Sequence, residues 1–252
     1  MPESGGMILY PRECRTHILY YPGKSMHMRF DLHIHSNHSS DSNLAVDDIL
    51  KRAVRNGLDG IAICDHNTVE GSLGAIRRAQ EMNLPLLVLP GIEISTSDGH
   101  LIVLGVRENI PAGLPASETI MIARQKGGVA IAPHPFKKEG IGFAAKDADA
   151  IETFNSRCVF GENETAKNLA VSLGKPEVGG SDSHLLSTIG IGFTDIDARR
   201  TESAVLESIR KGKTVSGGRV IPLHIMMIHS ARSLSRKIRR HAREFHSKIF
   251  LV

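Results

Sequence analysis

The chain has 252 residues, 41% of them hydrophobic and 23% charged, which is typical of a globular α/β protein with a full core. No apolar run approaches the roughly 20 residues that span a bilayer, and the first residues lack the basic stretch and apolar core of a secretory signal. The three cysteines are odd in number and widely spaced, which argues against a disulfide framework and favours a reducing compartment such as the cytoplasm.

The net charge of +4 is unevenly distributed along the chain. Residues 229–252 contain seven Lys or Arg residues and one Glu, a net of +6, which leaves −2 for the rest. The basic character therefore belongs to the tail. It is poor evidence that the main body binds nucleic acid.

The first 27 residues show no clear periodicity and contain several Pro and Gly residues. We expect residues 1–27 to form a loose extension, with Met28 as a plausible true start. A short hairpin at residues 18–21, packed on the body, is the alternative.

Strand-like and helix-like segments then alternate up to about Gly217. Short runs rich in Ile, Val and Leu predict strands at 30–35, 60–64, 86–89, 101–106, 129–132, 150–154 and 177–179. Apolar residues at helical spacing predict helices at 46–56, 70–82, 117–126, 162–173 and 201–211, and glycines follow several of them. This alternation predicts an α/β protein with a parallel sheet, and the number of strands suggests a closed or nearly closed barrel over residues 28–218.

A basic amphipathic helix is predicted at residues 233–249 of the C-terminal segment 219–252. Apolar residues recur there every three or four positions, and Lys and Arg occupy much of the rest. Packing on the barrel, binding an anionic partner and lying on a membrane surface are the three interpretations, and we favour loose packing on the barrel.

His33 and His35 are the strongest indication of a metal-binding site in the sequence. Side chains at positions i and i+2 of a strand point the same way, so both imidazoles can bind one metal ion. Several further strand-like runs also lie next to His, Asp or Glu. The full set of candidate ligands is His33, His35, Asp41, His66, Glu93, His100, His134, Asp182 and His184.

Nine nitrogen and oxygen ligands without cysteine fit Zn²⁺, Mn²⁺ or Fe²⁺. They are too many for one ion, so the sequence predicts two or three divalent metal ions, with a carboxylate such as Glu93 bridging two of them. Clustered ions can hold an oxygen-rich substrate and activate water.

Other residues are candidates for supporting roles. Asp65 precedes His66 and is expected to orient a ligand imidazole. Arg157 follows a strand and is the best candidate for gripping a phosphate, with a surface arginine as the alternative. Lys137 and Lys138 are expected to be a solvated pair, with attraction of anions as the alternative.

The ligand motifs, taken in chain order, closely resemble those of the PHP (polymerase and histidinol phosphatase) family. They are Asp31–Ser36, Ser40–Asp41, Cys64–Asn67, Pro90–Glu93, Gly99–His100, Pro133–Pro135 and Ser181–His184. The resemblance implies a distorted (β/α)7, TIM-like barrel with a di- or trinuclear metal site and phosphoesterase activity. It implies one ion on His33, His35, Glu93 and Asp182, a second on Glu93, His100 and His134, and a third on Asp41, His66 and His184.

The leading functional hypothesis is a metal-dependent phosphoesterase in which a metal-activated hydroxide attacks a small phosphomonoester. The short segment between His100 and His134 resembles compact family members without a large insertion. One alternative is a nuclease or nucleotide phosphatase that acts on nucleic-acid ends. The other is a metal-binding regulatory module without catalysis, which a complete ligand set disfavours.

Overall fold

The structure is a computed structural model that describes residues 26–227. The strands are β1 (Met26–Ile34), β2 (Gly60–Ile63), β3 (Leu87–Leu89), β4 (Gly91–Thr96), β5 (Gly99–Leu104), β6 (Val129–Ala132), β7 (Ala150–Asn155), β8 (Glu177–Gly180), β9 (Gly192–Ala198) and β10 (Thr214–Gly218). The helices are α1 (Val46–Arg55), α2 (Glu70–Glu81), α3 (Ala116–Gln125), α4 (Glu162–Leu173) and α5 (Glu202–Arg210). Two short 3₁₀ helices cover Gly142–Asp147 and Leu186–Thr188.

All five predicted helices are confirmed to within a residue or two at their ends. Each helix buries one face: α1, for example, buries Ile49, Leu50 and Ala53. Gly57 follows α1 with φ +71°, a left-handed conformation that glycine adopts without strain. Local periodicity was therefore sufficient to locate the helices.

The strands form two five-stranded sheets, in the orders β10-β9-β1-β2-β3 and β4-β5-β6-β7-β8. The pairs β1–β2, β2–β3, β6–β7 and β7–β8 are parallel, as expected from the strand–helix alternation. The pairs β4–β5, β5–β6, β1–β9 and β9–β10 are antiparallel. The prediction of a parallel sheet is thus correct for half of these pairs, and the architecture is mixed α/β.

Three strands were not predicted. β4 begins at Gly91, directly after Pro90, so a single residue separates it from the predicted strand at 86–89. In β9 buried residues alternate with partly exposed ones, among them Asp195 and Asp197, so the segment lacks a continuous apolar run. β10 contains two glycines in five residues. All three pair antiparallel, which requires no intervening helix.

The two sheets meet at the ends of β1 and β2. Ile34, at the end of β1, bridges Ser183 just beyond β8, and His66 beyond β2 bridges Glu93 in β4. Gly180 allows this approach, since a Cβ there would lie 2.5 Å from the Cβ of His33. The hydrogen-bonded ladders nevertheless remain two sheets within residues 26–227, so a closed barrel is not established by the strand pairing.

The core contains three clusters of buried aliphatic side chains, centred on β5–β6, on β1 with α5, and on α1 with α2. The hairpin suggested at residues 18–21 and the basic helix predicted at residues 233–249 both lie outside the described residues. Among residues 26–227, no helix has the length and apolar character needed to cross a membrane.

Candidate metal centre

A cleft of about 400 Å³ opens where the two sheets meet. Eight of the nine predicted ligands line it, and the ninth, His33, lies fully buried directly behind them. The remaining lining residues are polar or charged: Ser40, Asn67, Ser95, Lys137, Glu139 and Arg157. The structure therefore brings the predicted ligands of every segment to one place.

The end of β1 carries the first two imidazoles. His33 and His35 point the same way, as their spacing predicted, and their Nε2 atoms are 3.1 Å apart. Asp182, just after β8, faces them: its Oδ1 lies 3.5 Å from Nε2 of His35 and 3.8 Å from that of His33. The ligand atoms of these three residues are close enough to hold one metal ion.

Glu93 lies at the centre of the cluster and is 1% exposed. Five imidazole nitrogens lie within 3.5 Å of its carboxylate oxygens: those of His33, His35, His66, His100 and His134. Burial opposes its negative charge, but the neighbouring histidines outweigh burial and hold the pKa of Glu93 well below its usual range. Glu93 is thus an anionic side chain whose two oxygens face different imidazoles.

His100 reaches this cluster because β5 runs antiparallel to β4. It lies at the start of β5 and pairs with Ser95 near the end of β4. Its Nδ1 lies 3.0 Å from Oε1 of Glu93. Reversal of the chain direction brings the first residues of β5 to the same edge as the last residues of β4, so His100 reaches the cleft from the start of its strand.

Asp41 lies on the outer side of the cleft, between two histidines. Its Oδ2 is 2.9 Å from Nε2 of His184 and 3.4 Å from Nε2 of His66. Burial opposes the charge of Asp41, but hydrogen bonds from both histidines hold its pKa far below the usual range. Burial likewise opposes the charge of His66, and Asp41 and Glu93 raise the pKa of that imidazole to about 9.

Two of the predicted ligands have unusual backbone conformations. His134 has φ +29° and Asp182 has φ +52°, in the region that residues with a side chain rarely adopt. Such conformations persist where the surrounding structure imposes them, and they are common at binding and catalytic sites. Here they aim both side chains into the cleft.

The donor set fits divalent transition-metal ions. Four groups of three ligands have their donor atoms within 4.8 Å of one another, and all four consist of His, Asp and Glu. Within the described residues, the two cysteines are buried and belong to none of these groups. So many imidazole and carboxylate groups, buried side by side, are costly without cations between them. Nitrogen and oxygen ligands of this kind suit Zn²⁺, Mn²⁺ or Fe²⁺.

Two cations occupy one wall of the cleft. Arg157 lies with Nη1 3.6 Å from Oδ1 of Asp182 and 2.7 Å from Nδ1 of His184. Lys137 donates from Nζ to Oδ2 of Asp182 at 3.2 Å. Burial opposes the charge of Lys137, but Asp182 raises its pKa, so the amine stays cationic.

The expectation that Lys137 is solvated is wrong, because the side chain is only 20% exposed. Pro135 and the turn Phe136–Gly140 fold its end back over Asp182, whereas Lys138 is exposed as expected. Sequence reasoning missed Lys137, and the only available signal was its position two residues after the Pro-His-Pro motif.

Asp65 supports the site differently from what its sequence position suggested. Its two carboxylate oxygens accept from the backbone N–H and the hydroxyl of Ser36, both at 2.6 Å, and not from His66. Adjacent residues on an extended backbone point to opposite sides, so Asp65 turns away from the imidazole that follows it. Its contacts attach the end of β1 to the end of β2.

The segment that follows β10 packs beside the cleft without lining it. The N–H groups of Arg219 and Ile221 donate to the carbonyls of Ile191 and Ser156, at 2.8 and 2.7 Å. A small cavity beside Arg157 and His184 is closed by the apolar side chains Ile221, Ile225 and Met226. Residues 219–227 therefore pack next to the metal-type ligands.

Comparison with known proteins identifies relatives. Two family models match: a PHP domain over residues 31–135 and a PHP-associated region over residues 160–214. An uncharacterized protein of Methanocaldococcus jannaschii is 36% identical over 143 residues, which are 51% of this chain and 82% of that protein. A 5′-3′ exoribonuclease of Haemophilus influenzae is 32% identical over 130 residues, 50% of this chain and 46% of that protein. A phosphoribosyl 1,2-cyclic phosphate 1,2-diphosphodiesterase of Eggerthella lenta is 36% identical over 88 residues, 32% of each chain.

The fold agrees with these matches. A crystal structure of a two-domain protein from Bacteroides vulgatus, described as containing a predicted PHP-like metal-dependent phosphoesterase, superposes with a TM-score of 0.66 at 17% identity, over 82% of this chain and 70% of that one. The fold and the cleft define an α/β protein with clustered His, Asp and Glu ligands. The chain belongs to the PHP family, as its motifs indicated.

Proposed function

We propose that the protein is a metal-dependent phosphoesterase that hydrolyses a small phosphomonoester. One observation carries this proposal: four groups of potential metal ligands converge in a single open cleft beside two cationic side chains, Lys137 and Arg157. Ligand groups hold cations, and the two side chains add positive charge where a phosphate would sit. Two of the relatives are named as an exoribonuclease and as a cyclic phosphate diphosphodiesterase, and these names support phosphoester chemistry.

Two or three divalent ions fit the ligand set. We place one on His33, His35, Glu93 and Asp182, a second on Glu93, His100 and His134, and a third on Asp41, His66 and His184. When bound, such ions polarise phosphoryl oxygens and acidify water. Glu93 has imidazoles on both carboxylate oxygens and would therefore contribute to two of these sites.

The role of the protein side chains is to hold and orient the phosphate. Asp182 lies between the two cations and the imidazoles of β1. Asp182 would hold a metal ion with its carboxylate, and Lys137 and Arg157 would then offer their N–H groups to a phosphate on the open side of the cleft. Arg157 can present two N–H groups to a phosphate, whereas Lys137 acts as a point charge.

We also infer that the two sheets form a distorted barrel around the cleft. The bridges between Ile34 and Ser183 and between His66 and Glu93 connect the sheets at two places. The body would then extend from residue 28 to residue 218, with flanking segments at 1–27 and 219–252.

Arg157 and Lys137 lie on one wall of the cleft, and alanine substitutions test whether they bind the substrate phosphate. Arg157→Ala and Lys137→Ala should each raise KM by about 10- to 100-fold, because each loses a charge-assisted hydrogen bond of about 1.5–3 kcal/mol. Metal content should stay at the wild-type level. Steady-state kinetics with a generic phosphomonoester measures the effect. Lys138→Ala is the matched control. Equal KM values for all three variants would show that Arg157 and Lys137 do not bind the substrate phosphate.

The role of the tail is tested by truncation. Removal of residues 228–252 should leave hydrolysis of a small ester nearly unchanged, because every proposed ligand lies between His33 and His184. Removal of residues 219–252 also deletes Ile221 and Ile225, opens the wall beside Arg157 and should impair hydrolysis. An inactive protein that ends at Met227, yet is folded and metal-loaded, would contradict the assignment of the site.

A nuclease is the second candidate, since one relative is an exoribonuclease. Binding of a nucleic-acid backbone releases counterions, so its affinity falls steeply as salt increases. Hydrolysis of a small monoester lacks this dependence. A panel of mono- and diesters, single-stranded RNA included, assayed at several salt concentrations therefore separates the two. Cleavage of RNA with a steep salt dependence, and none of monoesters, would replace the leading proposal.

A further inference from the structure

Glu152 is a buried carboxylate behind the cleft that the proposed ligand set does not include. It lies in the middle of β7 and is 2% exposed. A buried carboxylate is stable only when its oxygens are paired, and all its partners here belong to the site. Oε1 lies 3.0 Å from Nδ1 of His33, and Oε2 accepts from the backbone N–H of His134 and the side-chain amide of Asn155, both at 2.9 Å.

The contact with His33 determines which ring nitrogen faces the cleft. Oε2 of Glu152 already accepts two N–H groups, so we assign Oε1 as the acceptor of this contact and Nδ1–H of His33 as its donor. An imidazole that binds a metal ion carries a single proton, so a metal ion would meet the lone pair on Nε2 of His33. That atom faces Nε2 of His35 at 3.1 Å and Oε2 of Glu93 at 3.5 Å. A carboxylate behind a ligand histidine fixes its tautomer in this way.

The other oxygen of Glu152 contacts two further parts of the site. His134 has an unusual φ of +29° between two prolines, and its N–H is held by Oε2. Asn155 donates to the same oxygen, and its Nδ2 also lies 3.4 Å from Oδ2 of Asp182. One side chain thus connects the segments that carry His33, His134 and Asp182.

We propose that Glu152 is a positioning residue that keeps His33 in the tautomer able to bind metal through Nε2 and holds His134 in place. The inference rests on the metal site of the proposed function. It predicts a selective effect: the two ligand groups that contain His33 depend on Glu152, whereas the group of His35, Asp41 and His184 makes no contact with it.

Replacement of Glu152 by glutamine should move the ring proton of His33 from Nδ1 to Nε2. The Oε2 side of Glu152 receives two N–H donors, from His134 and Asn155, so the single oxygen of a glutamine is needed there. Its NH₂ group must then face Nδ1 of His33. That nitrogen becomes an acceptor, and the proton moves to Nε2, where it blocks metal binding.

The test is zinc binding by wild type, Glu152→Gln and Glu177→Gln. Glu177 is the matched control: it begins the neighbouring strand, is partly buried, and its Oε2 lies 3.2 Å from the hydroxyls of Thr153 and Ser216, which can turn to suit an amide. Chelator competition should show that Glu152→Gln weakens zinc binding by about 10- to 100-fold, the usual effect of losing such a partner, while the control matches wild type.

Ring ¹⁵N spectra of the zinc-loaded proteins give the decisive readout. Wild type should show His33 bound through Nε2 with a protonated Nδ1. In the Glu152→Gln variant, the signal of zinc-bound His33 should disappear as the zinc concentration is lowered. At a concentration where it has disappeared, His184 of the same variant should still show the ¹⁵N shift of an imidazole bound to zinc. Wild-type protein with His33 bound through Nδ1, or a Glu152→Gln variant with wild-type zinc affinity, would overturn the positioning role. A wild type that binds no zinc, Mn²⁺ or Fe²⁺ would overturn the proposed function with it, and the two failures are thereby distinguished.

Discussion

Replacement of Glu93 by glutamine should abolish most of the hydrolytic activity and reduce the metal content of the purified protein at the same time. Glu93 is 1% exposed and its two oxygens face five imidazoles, so no other side chain can substitute for its charge. The rate should fall by at least about 10²- to 10³-fold, the scale of losing one preorganised electrostatic contact in a buried site.

Metal analysis and steady-state kinetics on the same preparation check this prediction. Glu108→Gln is the control, because Glu108 is 75% exposed and contacts only Lys126 among the ion pairs of the described residues. A folded Glu93→Gln variant with the metal content and rate of wild type would make Glu93 a structural residue.

Replacement of Asp31 by asparagine should cause the largest loss of stability. Asp31 is fully buried, and its carboxylate accepts from the backbone N–H groups of His33, Ser181 and Gly190 and from the hydroxyl of Ser181. Burial raises the pKa of Asp31 to about 6, and these hydrogen bonds oppose the rise. All four contacts are hydrogen-bond donors to its two oxygens, an arrangement that suits a carboxylate and not an amide.

An amide in this place would set its NH₂ group against the N–H of Gly190 and leave a buried donor unpaired. The free energy of unfolding should fall by about 2–4 kcal/mol, and Tm by about 5–15 °C. Thermal unfolding followed by circular dichroism measures the change. Asp47→Asn, which removes one exposed ion pair with Arg78, should cost less than about 1 kcal/mol. Equal melting temperatures for the two variants would show that the hydrogen bonds of Asp31 contribute little.

The helices and the parallel strands could be predicted because their signals are local. Periodicity located α4 to the residue, and the i, i+2 spacing correctly placed His33 and His35 on one face of β1. The same reasoning could not detect the hairpin of β4 and β5. Its first strand begins immediately after Pro90, and antiparallel pairing depends on partners that the local sequence does not specify.

The candidate site could be predicted in part for a similar reason. Ligand residues sit in recognisable motifs, so the sequence alone named the nine side chains that gather around the cleft. Lys137 and Glu152 were missed because their importance depends on contacts across the fold. The sequence did contain a signal for Glu152, because it is a carboxylate between Ile151 and Thr153 in an apolar strand. Such a group is costly to bury unless it is paired, which is the reasoning that identified Glu93.

The most direct test of the account is metal removal and restoration. The protein should be purified, analysed for metal, treated with a chelator, and assayed on a phosphomonoester before and after addition of Zn²⁺, Mn²⁺ or Fe²⁺. We expect two or three bound ions per chain, loss of hydrolysis on chelation, and recovery with at least one of these metals. Full hydrolytic activity in a protein shown to be free of metal would contradict the account.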